Sequence, residues 1–292
     1  QQITYNEYLP LLLGPHALAA YAGYDAGVNP NESALFAAAA FRVGHTQLFP
    51  DIQRLDENGQ SLPGGPLSLR SAFFTVDPIK NDGIEPFLRG LANSQAQEVD
   101  AHVIDDVRNF LFGPPGSGGM DLPALNIQRG RDVGLPSYNQ ARIDFGLPAV
   151  TSFSQISSDS IVQAALQSAY GDVNKIDVWV GGVAEDRAPG AMVGTLFQRI
   201  IADQFRRTRD GDRFWYENGQ FTSDDLNAIR QSTLEKLILR NTTITDAELA
   251  SHVFTTGAVS VSPMPGGSAN ETEIEFRSIE GVDNNSAQPK WG

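Results

Sequence analysis

The feature that most constrains the fold is an apolar stretch at residues 31–50, NESALFAAAAFRVGHTQLFP. Asn31 can cap the start of a helix, Glu32 suits the positive end of the helix dipole, and Pro50 stops continuation. The interior is built mostly from alanine, leucine, phenylalanine and valine. We therefore predict one helix with an apolar body, and this helix carries a histidine, His45.

A histidine in such a helix has two interpretations. A neutral imidazole is a good ligand for iron. Arg42 lies one helical turn before His45 on the same face, and its charge would then need an anionic partner, such as a haem propionate. The alternative is a core histidine that is satisfied by a backbone carbonyl, and the helix taken by itself favours that alternative.

Composition excludes several classes of protein. The chain has no cysteine, which excludes a disulfide framework, thiolate metal sites and cysteine nucleophiles. Its formal net charge of −14 would repel phosphate backbones and anionic membrane surfaces, so we expect no nucleic-acid partner. No apolar run reaches the roughly 18 residues of a membrane span, so we expect no transmembrane helix.

Most of the remaining chain is predicted to form helices joined by loops rich in glycine and proline. Apolar residues spaced by three and four predict an amphipathic helix in residues 98–112 and another in residues 190–210. Capping boxes at Thr222–Asp225 and Thr245–Glu248 predict two further helix starts. Residues 52–82 are predicted to be a long loop with short ordered pieces.

Several long segments, in this order, resemble the animal haem peroxidases. The segments are ITYNEYLPLLLG, AAFRVGHTQL, FLRGLANSQAQEVD, LPALNIQRGRDVGLPSYN, IDVWVGGVAEDRAPGAMVG and RDGDRFWYEN. The resemblance implies a mainly α fold, a peroxidase-like helical domain with loop-rich connections and little strand. We expect residues 1–256 to form the proximal, C-terminal part of the catalytic domain. Residues 257–292, which include the strand-like piece TEIEFRSI, are expected to wrap over the surface as an extension.

The resemblance implies roles for four residues. His45 would be the axial ligand of haem iron, and Asn126 would accept a hydrogen bond from its ring and so orient it. Arg42 matches an arginine that binds a haem propionate, and Arg129 matches a second arginine of the proximal region. The implied cofactor is haem b or a derivative. Cyclooxygenases of the same superfamily carry a radical-forming tyrosine at the position of Arg42, which argues here against fatty-acid oxygenation.

Other parts of the family's active site have no match in this sequence. The distal histidine and arginine, the carboxylates that ester-link the haem, and the calcium loop all belong upstream of the ITYNEYLP motif. We therefore expect an N-terminal peroxidase segment, as a separate chain, to carry the distal histidine and arginine. Any covalent haem linkage or calcium site would lie outside this chain.

Two further groups of residues have a structural interpretation. Arg131 and Asp132 are expected to form a structural pair with the backbone of the following turn. The aromatic residues of Phe214–Asn218, and Trp179, are expected to belong to the core, with a radical or substrate site as the alternative.

The leading functional hypothesis is a haem peroxidase. It would use hydrogen peroxide to oxidise halide, thiocyanate or small organic donors, and this chain would supply the proximal half of the haem pocket. The alternatives are a catalytically silent peroxidase-like module for adhesion or assembly, and a haem-dependent lipid dioxygenase of the same superfamily. We expect a secreted or extracytoplasmic location.

Overall fold

The fold is built almost entirely from short helices. The computed structural model describes residues 1–114, 116–249, 252–255 and 271–273. Helices make up 48% of the chain and strands 6%, which confirms the predicted mainly α class. Within the described residues, no helix is long and apolar enough to cross a membrane.

The described part of the chain contains thirteen α-helices, α1 to α13. In chain order they are Leu9–Leu13, Ala34–Ala38, Leu69–Ala72, Asp77–Asp82, Glu85–Asn93, Asp105–Arg108, Leu122–Asp132, Tyr138–Asp144, Ser160–Tyr170, Val178–Ala184, Thr195–Asp210, Ser223–Arg230 and Leu234–Asn241. A π-helical turn spans Thr4–Tyr8, and 3-10 turns span Ala40–His45, Phe153–Gln155 and Val173–Lys175. Most of these helices are too short to be stable alone, so packing between them must hold the fold.

In the described residues, four short strands form two antiparallel pairs. Strand β1 (Asp51–Ile52) pairs with β2 (Leu67–Ser68), and β3 (His102–Ile104) pairs with β4 (Glu271–Glu273). The β4 strand overlaps the strand-like piece of the predicted C-terminal extension. The rest of that extension lies outside the described residues, and its boundary at residue 256 stays a prediction.

Helix α10 lies at the centre of the packing. All seven of its residues are buried. It contacts α7, α8 and the Ala40–His45 turn. Gly181 and Gly182 make this approach possible, because a Cβ atom on Gly181 would overlap the ring of Tyr138, and one on Gly182 would overlap the ring of Phe197.

A buried polar network ties α8 to the segments around it. Arg142 forms an ion pair with Glu185 and also donates to the hydroxyl of Tyr138. The same carboxylate accepts a hydrogen bond from the backbone N–H of Leu196 at the start of α11 (2.9 Å). Burial raises the pKa of Glu185, while Arg142 and the N–H of Leu196 oppose that rise. The network therefore fixes the ends of three elements around the site.

The predicted helix over residues 31–50 is wrong in its extent. The helix α2 begins after Ser33, whose hydroxyl accepts from the N–H of Phe36, so Asn31 is not the cap. Its last residue is Ala38. At Ala39 the backbone leaves the helical region (φ −134°, ψ −74°), and a 3-10 turn follows. Arg42 Nε donates to the carbonyl oxygen of Ala37 (3.1 Å), which gives a partner to one of the carbonyl groups left free at the end of α2.

The amphipathic helix predicted for residues 98–112 is also wrong. The structure has strand β3 there, followed by the four-residue helix α6. Val99, Val103 and Val107 are all buried, as predicted. Only Val103 lies in the strand that pairs with β4, while Val99 precedes the strand and Val107 belongs to α6, so three different segments bury these side chains.

The helix predicted within residues 190–210 is confirmed as α11, and the capping box at Thr222 begins α12, where Thr222 Oγ1 accepts from the N–H of Asp225. The other capping box is wrong as a helix start. The carboxylate of Glu248 does accept from the N–H of Thr245 (2.8 Å), yet only a turn follows in the described residues. Glu248 also pairs with Arg89 of α5, which holds the turn against that helix.

Because α10 is closely packed, adding one methyl group to a glycine of this helix is expected to destabilise the fold. We expect Gly182→Ala to lower the free energy of unfolding by about 1–3 kcal/mol, because the core at Phe197 must shift to admit the Cβ atom. Gly130→Ala, in α7, is the matched control, since its nearest neighbour would be at an ordinary 3.5 Å. Urea denaturation of both variants measures the difference, and equal stabilities would contradict the packing described for α10.

Candidate functional site

His45 lies at the end of the 3-10 turn Ala40–His45 and is partly buried. The core side chain of Val43, which is 2% exposed, anchors this turn. The ring nitrogen Nδ1 of His45 lies 2.8 Å from Nδ2 of Asn126. Its other ring nitrogen, Nε2, has no hydrogen-bond partner among the described residues, so one edge of the ring is held and the other is open.

Asn126 is held more rigidly than His45. It lies on α7, which begins at Asp121, where the side chain accepts from the N–H of Ala124 (2.8 Å). The Asn126 side chain is completely buried. Because α7 contacts both α10 and the Ala40–His45 turn, the amide group is fixed against the imidazole from two sides.

The hydrogen bond between His45 and Asn126 has the opposite polarity to the one predicted. Arg42 Nη1 donates to Oδ1 of Asn126 at 2.9 Å. A guanidinium group can only donate, so the amide oxygen faces Arg42 and the amide NH2 faces the ring. Nδ1 of His45 is then the acceptor, and the neutral ring carries its proton on Nε2. Binding of a metal at Nε2 requires the proton on Nδ1 and the amide oxygen turned towards it.

The electrostatics of the site keep the imidazole neutral. Burial lowers the pKa of His45, and the positive charge of Arg42 lowers it further. A neutral imidazole is the form that binds a metal. The same surroundings therefore favour ligation over protonation.

Arg42 and Arg129 lie near one another, and neither has a carboxylate partner in the part of the chain that the structure describes. Burial lowers the pKa of Arg42, and repulsion from Arg129 lowers it further. Neither side chain forms an ion pair with any described residue, although Arg42 does bond to the oxygens of Ala37 and Asn126. Like charges held together are stabilised by an anion, and guanidinium groups suit carboxylates in particular.

Arg131 does not pair with Asp132. It forms a two-bond ion pair with Asp177 (2.9 and 2.7 Å), and Tyr170 donates to the same carboxylate. Asp132 instead accepts from Gln128, one turn earlier in α7. Since Asp177 directly precedes α10, the ion pair clamps the end of α7 to the start of α10.

Trp179 is a core residue, as predicted, and is 1% exposed. The prediction for Phe214–Asn218 holds for Trp215 and Tyr216, which are buried. It is wrong for Phe214, which is 60% exposed.

Sequence reasoning missed a pair of phenylalanines. Phe74 and Phe112 both have positive φ (59° and 67°), and their rings are 5.2 Å apart. Phe74 is 86% exposed. Strained backbone at a non-glycine residue costs on the order of 1–3 kcal/mol and is concentrated at functional sites. The sign of φ leaves no trace in the sequence, so only the structure reveals this pair.

The observed polarity leads to a test that needs no ligand. We expect the neutral ring of His45 to carry its proton on Nε2 in the wild type and on Nδ1 in Asn126→Asp, because a carboxylate can only accept and can serve Arg42 and the ring together. The ¹⁵N shifts of the imidazole, measured above its pKa, distinguish the two tautomers. Gln128→Glu, two residues along α7, is the matched control. If the proton lies on Nε2 both in the wild type and in Asn126→Asp, the described hydrogen bonds of Asn126 with Arg42 and His45 would be contradicted.

Comparisons with solved structures agree with this fold. Peroxidase A from Dictyostelium discoideum superposes with a TM-score of 0.76 at 43% identity, covering 83% of this chain and 46% of that one. The fatty acid alpha-dioxygenase of Oryza sativa superposes with a TM-score of 0.59 at 20% identity, covering 76% of this chain and 40% of that one. The second likeness is evidence for the fold alone.

Comparisons of sequence identify the family. Peroxinectin A of Dictyostelium discoideum is 42% identical over 254 residues, which are 87% of this chain and 46% of that protein. Human eosinophil peroxidase is 39% identical over 280 residues, which are 91% of this chain and 39% of that protein. The chain thus spans less than half the length of these relatives. The family model described as animal haem peroxidase matches residues 1–254, and the chain therefore belongs to the animal haem peroxidase family.

Proposed function

We propose that this chain supplies the proximal half of the haem pocket of a peroxidase, an enzyme that uses hydrogen peroxide to oxidise halide, thiocyanate or small organic donors. The observation that carries the proposal is the grouping of His45, Asn126 and Arg42. It joins a neutral imidazole with a free edge, a buried amide that orients the ring, and a cation without a counterion.

The residues fit a haem group. His45 would bind the iron through Nε2, and Arg42 and Arg129 would hold the propionates. The haem would supply the redox chemistry with peroxide. A propionate that pairs with Arg42 would release the amide oxygen of Asn126, which could then accept a hydrogen bond from Nδ1–H of His45. An amide acceptor withdraws the proton less than a carboxylate does, which leaves the iron easier to reduce.

Arg42 also distinguishes this proposal from the lipid dioxygenase alternative. A radical-forming tyrosine would be needed at its position, and a guanidinium group cannot lose an electron in the same way. The likeness to plant dioxygenases, at 20% identity, concerns the fold. The silent adhesion module differs from a peroxidase in having no haem, so haem content separates the two.

The distal side of the pocket is proposed to come from an N-terminal peroxidase segment, carried as a separate chain. The relatives are more than twice as long as the part matched here. A distal general acid–base group is worth about two to four orders of magnitude in rate. The covalent haem linkage and any calcium site are assigned to that segment as well, and the extracytoplasmic location stays a prediction.

We expect His45→Ala to abolish stoichiometric haem binding, since the imidazole is the proposed axial ligand. Asn126→Ala should weaken haem affinity by about 10–100-fold, because the ring loses its orienting partner. Titration with haem, followed at the Soret band, measures both effects. His102→Ala is the control, since His102 lies on β3 and pairs with Asp100. An unchanged Soret band and haem affinity in His45→Ala would disprove the assignment of the ligand.

The split pocket predicts the composition of the active particle. We expect native material with full peroxidase turnover to contain a second polypeptide bearing the distal histidine and arginine. Denaturing electrophoresis and intact mass measurement of purified active protein provide the test. Full turnover by the 292-residue chain with no other polypeptide present would contradict the proposed division, while leaving the haem site itself in place.

A further inference from the structure

Trp215 is surrounded by three tyrosine rings. The ring centroids lie 4.7 Å from Tyr5, 4.9 Å from Tyr216 and 5.7 Å from Tyr21. Trp215 is itself 3% exposed. Tryptophan and tyrosine are the side chains most readily oxidised by one electron without breaking a bond, and this cluster places three such tyrosines in contact with Trp215.

The ring contacts continue to the segment that carries His45. Tyr5 meets Phe205 edge to face at 5.6 Å, and Phe205 meets Phe36 at 5.7 Å and Phe41 at 5.5 Å. Phe36 and Phe41 are stacked at 4.7 Å. Phe41 directly precedes Arg42 in the Ala40–His45 turn. The aromatic path from Trp215 therefore ends at the turn that carries Arg42 and His45, and its closely packed rings are a favourable medium for electron tunnelling.

Trp215 has a base in place for its proton. Its indole Nε1 donates to Glu217 Oε2 at 3.3 Å, and Arg230 pairs with the other carboxylate oxygen at 2.8 Å. Oxidation of an indole by one electron makes its N–H strongly acidic. A carboxylate that already accepts this hydrogen bond can take the proton as the electron leaves, which makes Trp215 easier to oxidise.

A cavity of about 240 Å³ opens beside these rings. Its lining includes Tyr5, Tyr21, Trp215, Tyr216, Arg209 and Glu217. An apolar cavity of roughly 150 Å³ is enough to hold benzene, so a single aromatic ring fits here. The lining offers ring faces for stacking and a carboxylate for a hydroxyl group, which is the chemistry that suits a phenol.

We propose that Trp215 is a second oxidation site, at which phenols bound in this cavity are oxidised at a distance from the haem. The proposal rests on the proposed peroxidase function. Trp215 gives one electron along the path through Tyr5 and Phe205, and its proton passes to Glu217. The phenol then returns one electron and one proton to the indole and leaves as a phenoxyl radical. Two phenols are consumed for each hydrogen peroxide, and with the two protons released through Glu217 the peroxide becomes two waters.

The test uses the native haem-loaded protein in its complete form. Trp215→Phe removes the oxidisable ring and should abolish the tryptophan radical seen by freeze-quench electron paramagnetic resonance after peroxide is added. Phenol oxidation should fall by at least about tenfold, whereas iodide oxidation and the Soret band stay unchanged. Trp215→Tyr, which restores an oxidisable ring, should recover phenol oxidation in part. Glu217→Gln should lower the radical yield without loss of haem.

Phe214→Leu is the matched control, because Phe214 adjoins Trp215 in sequence yet has no contact with a ring of the path among the described residues. Unchanged phenol oxidation and an unchanged radical signal in Trp215→Phe would overturn the proposal, while iodide turnover would keep the peroxidase function intact. Absence of hydrogen-peroxide-dependent turnover of both iodide and phenol in the wild type would instead overturn the peroxidase function. If Trp215→Phe loses its Soret band, the Glu217→Gln variant provides the test instead. A tryptophan radical yield in Glu217→Gln equal to that of the wild type would then contradict the proposal.

Discussion

The structure depends on the close approach of α10 to its neighbours. Two consecutive glycines allow this helix to lie directly against the rings of Tyr138 and Phe197. Helices α7 and α8 and the turn that carries His45 all pack against this one buried helix. The ion pair between Arg131 and Asp177 joins the end of α7 to the start of α10. The interior is packed too densely for one of these elements to move alone.

This rigidity matters because the site depends on one small group. The Asn126 amide has two partners: its oxygen accepts from the guanidinium of Arg42, and its NH2 donates to Nδ1 of His45. A completely buried amide must satisfy both of its ends, so its two partners are coupled through it. A change at Arg42 is thereby felt at a ring nitrogen it does not touch.

Sequence reasoning singled out His45, Asn126 and Arg42 because they lie in long motifs, and the structure brings these three side chains together. It found α11 because its buried positions recur with helical spacing. It failed where two structures share one pattern. Valines at 99, 103 and 107 have helical spacing, yet Val103 lies in β3, which pairs with β4, and Val107 lies in α6. The break at Ala39 left no signal, because alanine favours a helix and the cause is tertiary. The polarity of Asn126 was also beyond reach, since it follows from where Arg42 points.

The coupling at Asn126 would link the binding of a cofactor to the tautomer of His45. If haem binds as proposed and its carboxylates pair with Arg42, the freed amide oxygen of Asn126 would favour the Nδ1–H form of His45, which leaves Nε2 able to bind a metal. A porphyrin with free carboxylates and no iron would then prime the ligand as well as haem does. A porphyrin whose carboxylates are esterified would meet a histidine that still presents a proton to the iron. Selectivity for the cofactor would thus depend on the carboxylates of the porphyrin, which would act on His45 through the amide group of Asn126.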